Sequence, residues 1–218
     1  MMAMTSGEKE RFCDFAASII APPDGALLDD LGQDDPRTLI GEWVSQRDGA
    51  KQLPPLFVKE GNGEDFLAVL QAEYERLFGQ WEGERISLVE STYKPWTTDK
   101  GCGMVFAAST GLVMGDSALH MWELYVLASL EVPEEFRSMP DHLVLELEFL
   151  AFLYRFGSNA QIERFIGDHL DWIPELKAAL EKADPHPFYR NAVEIIHQFL
   201  QQEANNGKVD NHGQKKVH

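Results

Sequence analysis

The stretch Pro140 to Ser158, PDHLVLELEFLAFLYRFGS, decides the fold. Its apolar residues recur at every helical step, so a helix here is buried on most sides. Proline suits the first helical turn, and a carboxylate is favoured at the positive end of the helix dipole. Pro140 and Asp141 thus supply the start signal for a helix over about Pro140–Phe156, and His142 is surplus to that job. The stretch raises one question: whether Asp141, His142 and the acids after them do chemistry, hold the structure, or hold a partner.

The same periodicity runs outward in both directions. Phe12, Phe15, Ala16 and Ile19 form a stripe that Pro22 and Pro23 end, and Leu39, Ile40, Trp43 and Val44 form another between Pro36 and Gly49. Gly49 to Gly63 reads as a loop. Phe66, Leu67, Leu70, Tyr74, Leu77 and Phe78 then repeat at three- and four-residue steps. From Gly79 to Gly115 six glycines, one proline and several β-branched residues make a long irregular connector, with a short helix expected around Met104 to Thr110. Asp116 is expected to cap a helix to about Leu130, and Val132 to Met139 reads as a hinge. Helices follow at Ser158–Asp168, Trp172–Lys182 and Pro187–Gln202. No βαβ alternation and no repeat is visible, so the chain is all-α. The pattern divides it into an N-terminal helical lobe (1–131, with the connector at 79–115), a C-terminal lobe (132–203) and a disordered tail (204–218).

Composition restricts the function. With 36 acidic and 19 basic residues the net charge is −17, which disfavours nucleic acid and anionic lipid and favours a basic partner. Cys13 and Cys102 stand in no metal-ligand spacing and make no disulfide framework, which points to a reducing, cytoplasmic setting. No apolar run approaches the length of a membrane span. His142 and Glu146 share a helix face, but a metal needs further ligands, and the sequence offers none in a recognised pattern. His169 reads as a favourable charge at a helix C-terminus and His186 as part of a turn. The glycine pairs at Gly61 and Gly101 lack the context of a dinucleotide loop, and no nucleophile motif occurs. Tyr93, Pro95 and Trp96, bulky groups in an irregular connector, either pin the loop to the core or line a peptide-binding surface. The expectation is a binding protein, not an enzyme, with no metal or cofactor.

At this point several segments together become informative. PDHLVLELEFLAF resembles the central signature of the TorD/DmsD family of cytoplasmic chaperones for exported molybdoenzymes. EYERLFG (Glu73–Gly79), ESTYKPW (Glu90–Trp96), FIGDHLDWIPEL from Phe165 and HPFYR from His186 resemble further signatures in the same order. The resemblance spans roughly Phe12 to Leu200. It implies an all-helical fold of two lobes joined before the PDH motif, and binding of the twin-arginine leader and folded body of a molybdoenzyme precursor. By the same resemblance Asp141 and His142 recognise the leader, with Leu77, Phe78 and Tyr93 contributing; Trp96 and Glu146 complete the expected peptide-binding set. A tryptophan that some members carry is replaced here by Leu88 and Val89. Some members also bind guanine nucleotide, which makes GTP a possible ligand and a nucleotide switch an alternative role. Another alternative is an assembly factor acting on a mature, membrane-anchored reductase. A hinge between lobes also permits a domain-swapped homodimer. Eight carboxylates between Asp116 and Glu148, against Arg137 alone, would steer the leader's arginines.

Overall fold

The structure, a computed structural model, describes residues 4–32, 63–79 and 86–213. Among these it contains eight α-helices, two single 3₁₀ turns and no strand beyond one isolated bridge. The stripe at Leu39–Val44, the loop at 49–62, the Gly61 pair and the last five residues lie outside the described residues.

Helix α1 (Ser6–Ile20) begins with a reciprocal cap in which the Thr5 and Glu8 side chains satisfy each other's backbone amides. Helix α2 (Gly25–Gly32) leads out of the Pro22–Pro23 turn, and α3 (Gly63–Phe78) carries the repeat read from Phe66 to Phe78. Helix α4 (Asp116–Ala128) stops at Ser129, which takes a left-handed conformation. Helix α5 (Leu143–Phe156) is the stretch on which the sequence turns: Leu143 to Leu147 are all buried. Helices α6 (Asn159–His169), α7 (Ile173–Lys182) and α8 (Pro187–Gly213) follow. Ser158 and Gln161 cap α6 reciprocally, and Pro174 sits in the first turn of α7, where its missing amide costs nothing.

Helix α5 is the spine. Helix α1 packs along it and also meets α8, while α6 and α7 close against α8. Phe12 of α1 stacks on Phe199 of α8 at 4.2 Å, and Glu203 of α8 accepts from Lys9 at 2.6 Å and from the Tyr154 hydroxyl at 2.7 Å. One buried core therefore runs from Phe12 to Leu200 through both of the segments expected as separate lobes. The reason is physical: a helix apolar on most sides must be covered on most sides, and α1 supplies the cover that the C-terminal helices cannot.

Four local expectations need correction. Met104–Thr110 is not helical; it makes two successive turns, closed by the Ala107 amide on Met104 O and the Ser109 amide on Phe106 O. Asp116 does not cap α4 but is its first residue; Gly115 holds the cap position, and the Asp116 carboxylate reaches back to the Thr98 amide at 2.8 Å. Helix α5 starts at Leu143, three residues later than expected. The backbone of α8 remains helical through Gly213, where a disordered tail was expected from 204.

Candidate functional site: a buried carboxylate and histidine cluster

The connector is fastened to the start of α5. Val89 and His142 form an antiparallel bridge, in which the Glu90 amide donates to Asp141 O at 3.0 Å and the Leu143 amide to Leu88 O at 2.8 Å. The Asp141 carboxylate adds a third bond, accepting from the Ser91 amide at 2.7 Å. Asp141 thus clips two segments together and does not start the helix. His142 does: its Nδ1 accepts from the Val144 amide at 3.2 Å, the position an asparagine or serine cap usually fills. His186 repeats the device for α8, accepting from the Phe188 amide at 3.2 Å. His142 packs against Phe136, and burial lowers its pKa to about 4, so the ring is neutral and well suited to accept.

Beneath this clasp lies a buried polar cluster. Glu90, in the 3₁₀ turn Glu90–Thr92, is fully buried, as is Glu146 of α5, and His169 ends α6 with its ring 2% exposed. His169 Nδ1 meets Glu90 Oε2 at 2.8 Å, and its Nε2 meets His120 Nδ1 of α4 at 2.7 Å. Lys94 binds Glu90 Oε1 at 2.6 Å and Asp171 at 2.5 Å. Trp172 Nε1 donates to His169 O at 2.8 Å and to Glu146 Oε2 at 3.2 Å. Burial raises the Glu146 carboxyl well above the usual range, and the nearby Glu90 charge adds to this. Burial acts on Glu90 in the same direction, but hydrogen bonds from His169 and Glu146 and the Lys94 charge outweigh it and hold Glu90 lower. Two carboxyl groups thus share one site with opposite preferences, Glu90 ionised and Glu146 protonated. Asp141 is raised by burial, with the Ser91 bond opposing.

The expected peptide-binding residues fall in several places. Asp141 and Glu146 meet in and beside this cluster, completely buried, and His142 is only 7% exposed. Tyr93 joins them from the side, stacked on Trp172 at 4.9 Å with its hydroxyl on Ser87 O at 2.8 Å. Trp96 packs edge-on to Phe106, and Leu77 lies in the core. Phe78, half-buried, packs on Tyr74 and Tyr189. His142 and Glu146 do not converge on a shared ligand; among the described residues the group able to do so is Glu90, Glu146 and His169. Sequence reasoning passed over Glu90 and His169. The available signal was that each stands in a segment, ESTYKPW or FIGDHLDW, already singled out beside PDHLVLELEF.

What is exposed is different in kind. On α4, Leu119, Val126 and Leu127 are 52%, 71% and 82% exposed, the seven-residue step putting Leu119 and Val126 on one face with Leu127 beside them, and Leu130, just past the end of the helix, is 38% exposed. Asp116, Glu123, Glu131, Glu134 and Glu135, all exposed, surround them in sequence. A separate cleft of about 390 Å³ between α6, α7 and α8 is lined by Ile166, Leu170, Ile173 and Leu200.

Comparison with known proteins bears on all of this. A chaperone protein TorD from Shewanella piezotolerans is 29% identical over 129 residues, 59% of this chain; the chain spans 57% of that relative's length. The crystal structure of a putative redox enzyme maturation protein from Archaeoglobus fulgidus shares the fold, with a TM-score of 0.56 and 21% identity over 92% of this chain and 96% of that one. The family model described as nitrate reductase delta subunit matches residues 48–186, more than half of the chain. The chain therefore belongs to the nitrate reductase delta subunit family, in keeping with the TorD/DmsD resemblance of its segments.

Proposed function

We propose that this chain is a redox-enzyme maturation chaperone that binds the twin-arginine leader of a molybdoenzyme precursor. The observation that carries the reading is the set of apolar side chains that α4 leaves exposed, Leu119, Val126 and Leu127, with Leu130 just past its end, amid Asp116, Glu123, Glu131, Glu134 and Glu135. A leader of this type is a basic stretch followed by an apolar helix former, so it matches such a face in both respects. The role of Asp141 and His142 then changes: both are buried, and they position the connector and α5 behind this surface rather than touching arginine.

The test is calorimetric titration of a synthetic leader into wild type and into Val126→Asp/Leu127→Asp. The double variant should melt like wild type, because both side chains are exposed, yet bind about tenfold more weakly or worse, as expected for losing an apolar contact of ~1.5–3 kcal/mol. Wild-type binding should also weaken when salt is raised to ~0.1 M and above, where screening acts within ~10 Å. Unaltered affinity in the variant, or salt-independent binding, would remove α4 from the site. A second reading has the chain assemble a mature reductase subunit, which the description of the matching family favours. Binding to a leaderless client subunit with no response to the isolated leader would select it.

A further inference from the structure

His120 Nδ1 of α4 lies 2.7 Å from His169 Nε2 at the end of α6, with the two ring planes 26° apart. At that distance one proton stands between the nitrogens, and there is no room for a second. The other side of His169 fixes the count. Its Nδ1 meets Glu90 Oε2 at 2.8 Å, and Glu90 is an ionised acceptor, so Nδ1 carries a proton. With both rings neutral, His169 Nε2 is therefore a lone pair and accepts from His120 Nδ1. With one added proton, His169 is an imidazolium that donates to Glu90 and to His120, whose own proton then sits on Nε2. With two added protons, N–H faces N–H and charge faces charge, so the contact is lost.

We propose that this contact is an acid-released latch, which holds α4 against α6 while the pair carries no more than one added proton and opens when it takes a second. The groups around the pair set when that happens. Glu90 faces His169 from the connector and stabilises the first proton; Lys94, whose other partner is Asp171, and the Glu146 carboxyl hold Glu90 in place. His120 faces Asp168 and Arg164 of α6 and Glu123 of its own helix. Burial and the His169 charge hold His120 below the usual histidine range; Asp168 and Glu123 oppose this, and Arg164 adds to it. A folded pKa below the unfolded value of ~6.5 keeps the latch closed above that pH and loses it as pH falls further. His120 is half-buried and His169 is buried, so the ring that leaves is the one with access to water. Opening does not unfold the helix. Its first turn stays tied by the Asp116 carboxylate on the Thr98 amide, and its far end by the Tyr125 hydroxyl, which donates to Pro140 O at 2.9 Å. The latch sits between these two ties, so acid frees the middle of α4. This holds whether or not α4 binds a leader.

The experiment follows hydrogen exchange of the full chain from about pH 7 to about pH 5, with rates converted to protection factors so that the intrinsic pH dependence cancels. Helix α1, which packs along the spine and carries no histidine, is the reference. Protection of α4 relative to α1 should fall about tenfold or more in wild type, as expected for the loss of one hydrogen bond. Asparagine donates to a neutral His169 or accepts from a charged one, and it does not titrate. His120→Asn should therefore keep α4 protected down to about pH 5, and His120→Ala should leave it weakly protected at about pH 7 already. His142 titrates in all three proteins, so the differences between them belong to His120. Nitrogen NMR of the histidine rings in wild type gives a second reading, a coupled titration whose second step lies below the usual histidine range. Wild-type α4 protection that does not change with pH would overturn the proposal. So would an equal fall in His120→Asn, wild-type protection in His120→Ala, or rings of His120 and His169 that titrate independently.

Discussion

His142 caps α5 with a neutral ring, and that choice carries a pH dependence. In the unfolded chain a histidine titrates near ~6.5, whereas here burial lowers it to about 4. The folded state therefore binds the proton less readily than the unfolded one. Its contribution is fully present above pH ~6.5 and is lost progressively as pH falls toward ~4, by on the order of 3 kcal/mol at ~1.4 kcal/mol per pKa unit. Asparagine caps helices at least as well and does not titrate. His142→Asn should keep the neutral-pH melting temperature within a few degrees and flatten the decline between pH 6.5 and 4. An acid limb with its slope unchanged would assign the sensitivity to other groups. The residue scale is also where sequence reading succeeded least. Position in sequence made Asp141 the helix starter and His142 the extra group, and the structure reverses the two. The reversal depends on Ser91 and Leu88, about 50 residues away, which no local pattern connects to the PDH motif.

At the scale of elements the helices were legible because their apolar spacing is periodic and their ends carry proline, glycine or serine. The connector was not, since it is held by single bonds and close approaches and not by a repeat. Gly115 is the clearest case. A Cβ there would stand 2.5 Å from Trp96 O, which itself accepts from the Asp116 amide at 2.8 Å. The connector backbone runs directly over the first turn of α4, and only glycine leaves room for it. Gly115→Ala should cost about 1–3 kcal/mol, the usual penalty for overpacking, read as a shift in denaturant midpoint with an unchanged slope. Destabilisation below half a kcal/mol would mean that the connector yields freely. The cluster of Glu90, Glu146 and His169 was illegible for the same reason: its members are separated by 56 and 23 residues, the differences between 146 and 90 and between 169 and 146, and only the folded connector brings them together.

For the whole molecule, the decisive feature is that α1 covers α5. A division at residue 131 reads well in sequence, where a polar, proline-containing link separates two helical runs, but the buried core ignores it. Phe199 of α8 contacts both Phe12 of α1 and Tyr154 of the spine, so the three helices share one aromatic group. Unfolding should consequently be a single transition, with calorimetric and van't Hoff enthalpies equal. Two resolved transitions would restore two independent lobes. The bridge between Val89 and His142 has a further meaning at this scale. It closes a ring: Ser91 and Asp141, 50 residues apart, form the neck, and the whole of α4 lies on the loop between them. Closing a loop of that length costs entropy that the neck must continually offset. Helix α4 is therefore coupled to the buried carboxylates twice over, through the three bonds of the neck and through His120, which meets His169 at 2.7 Å, so that pulling on this helix strains the cluster from both ends.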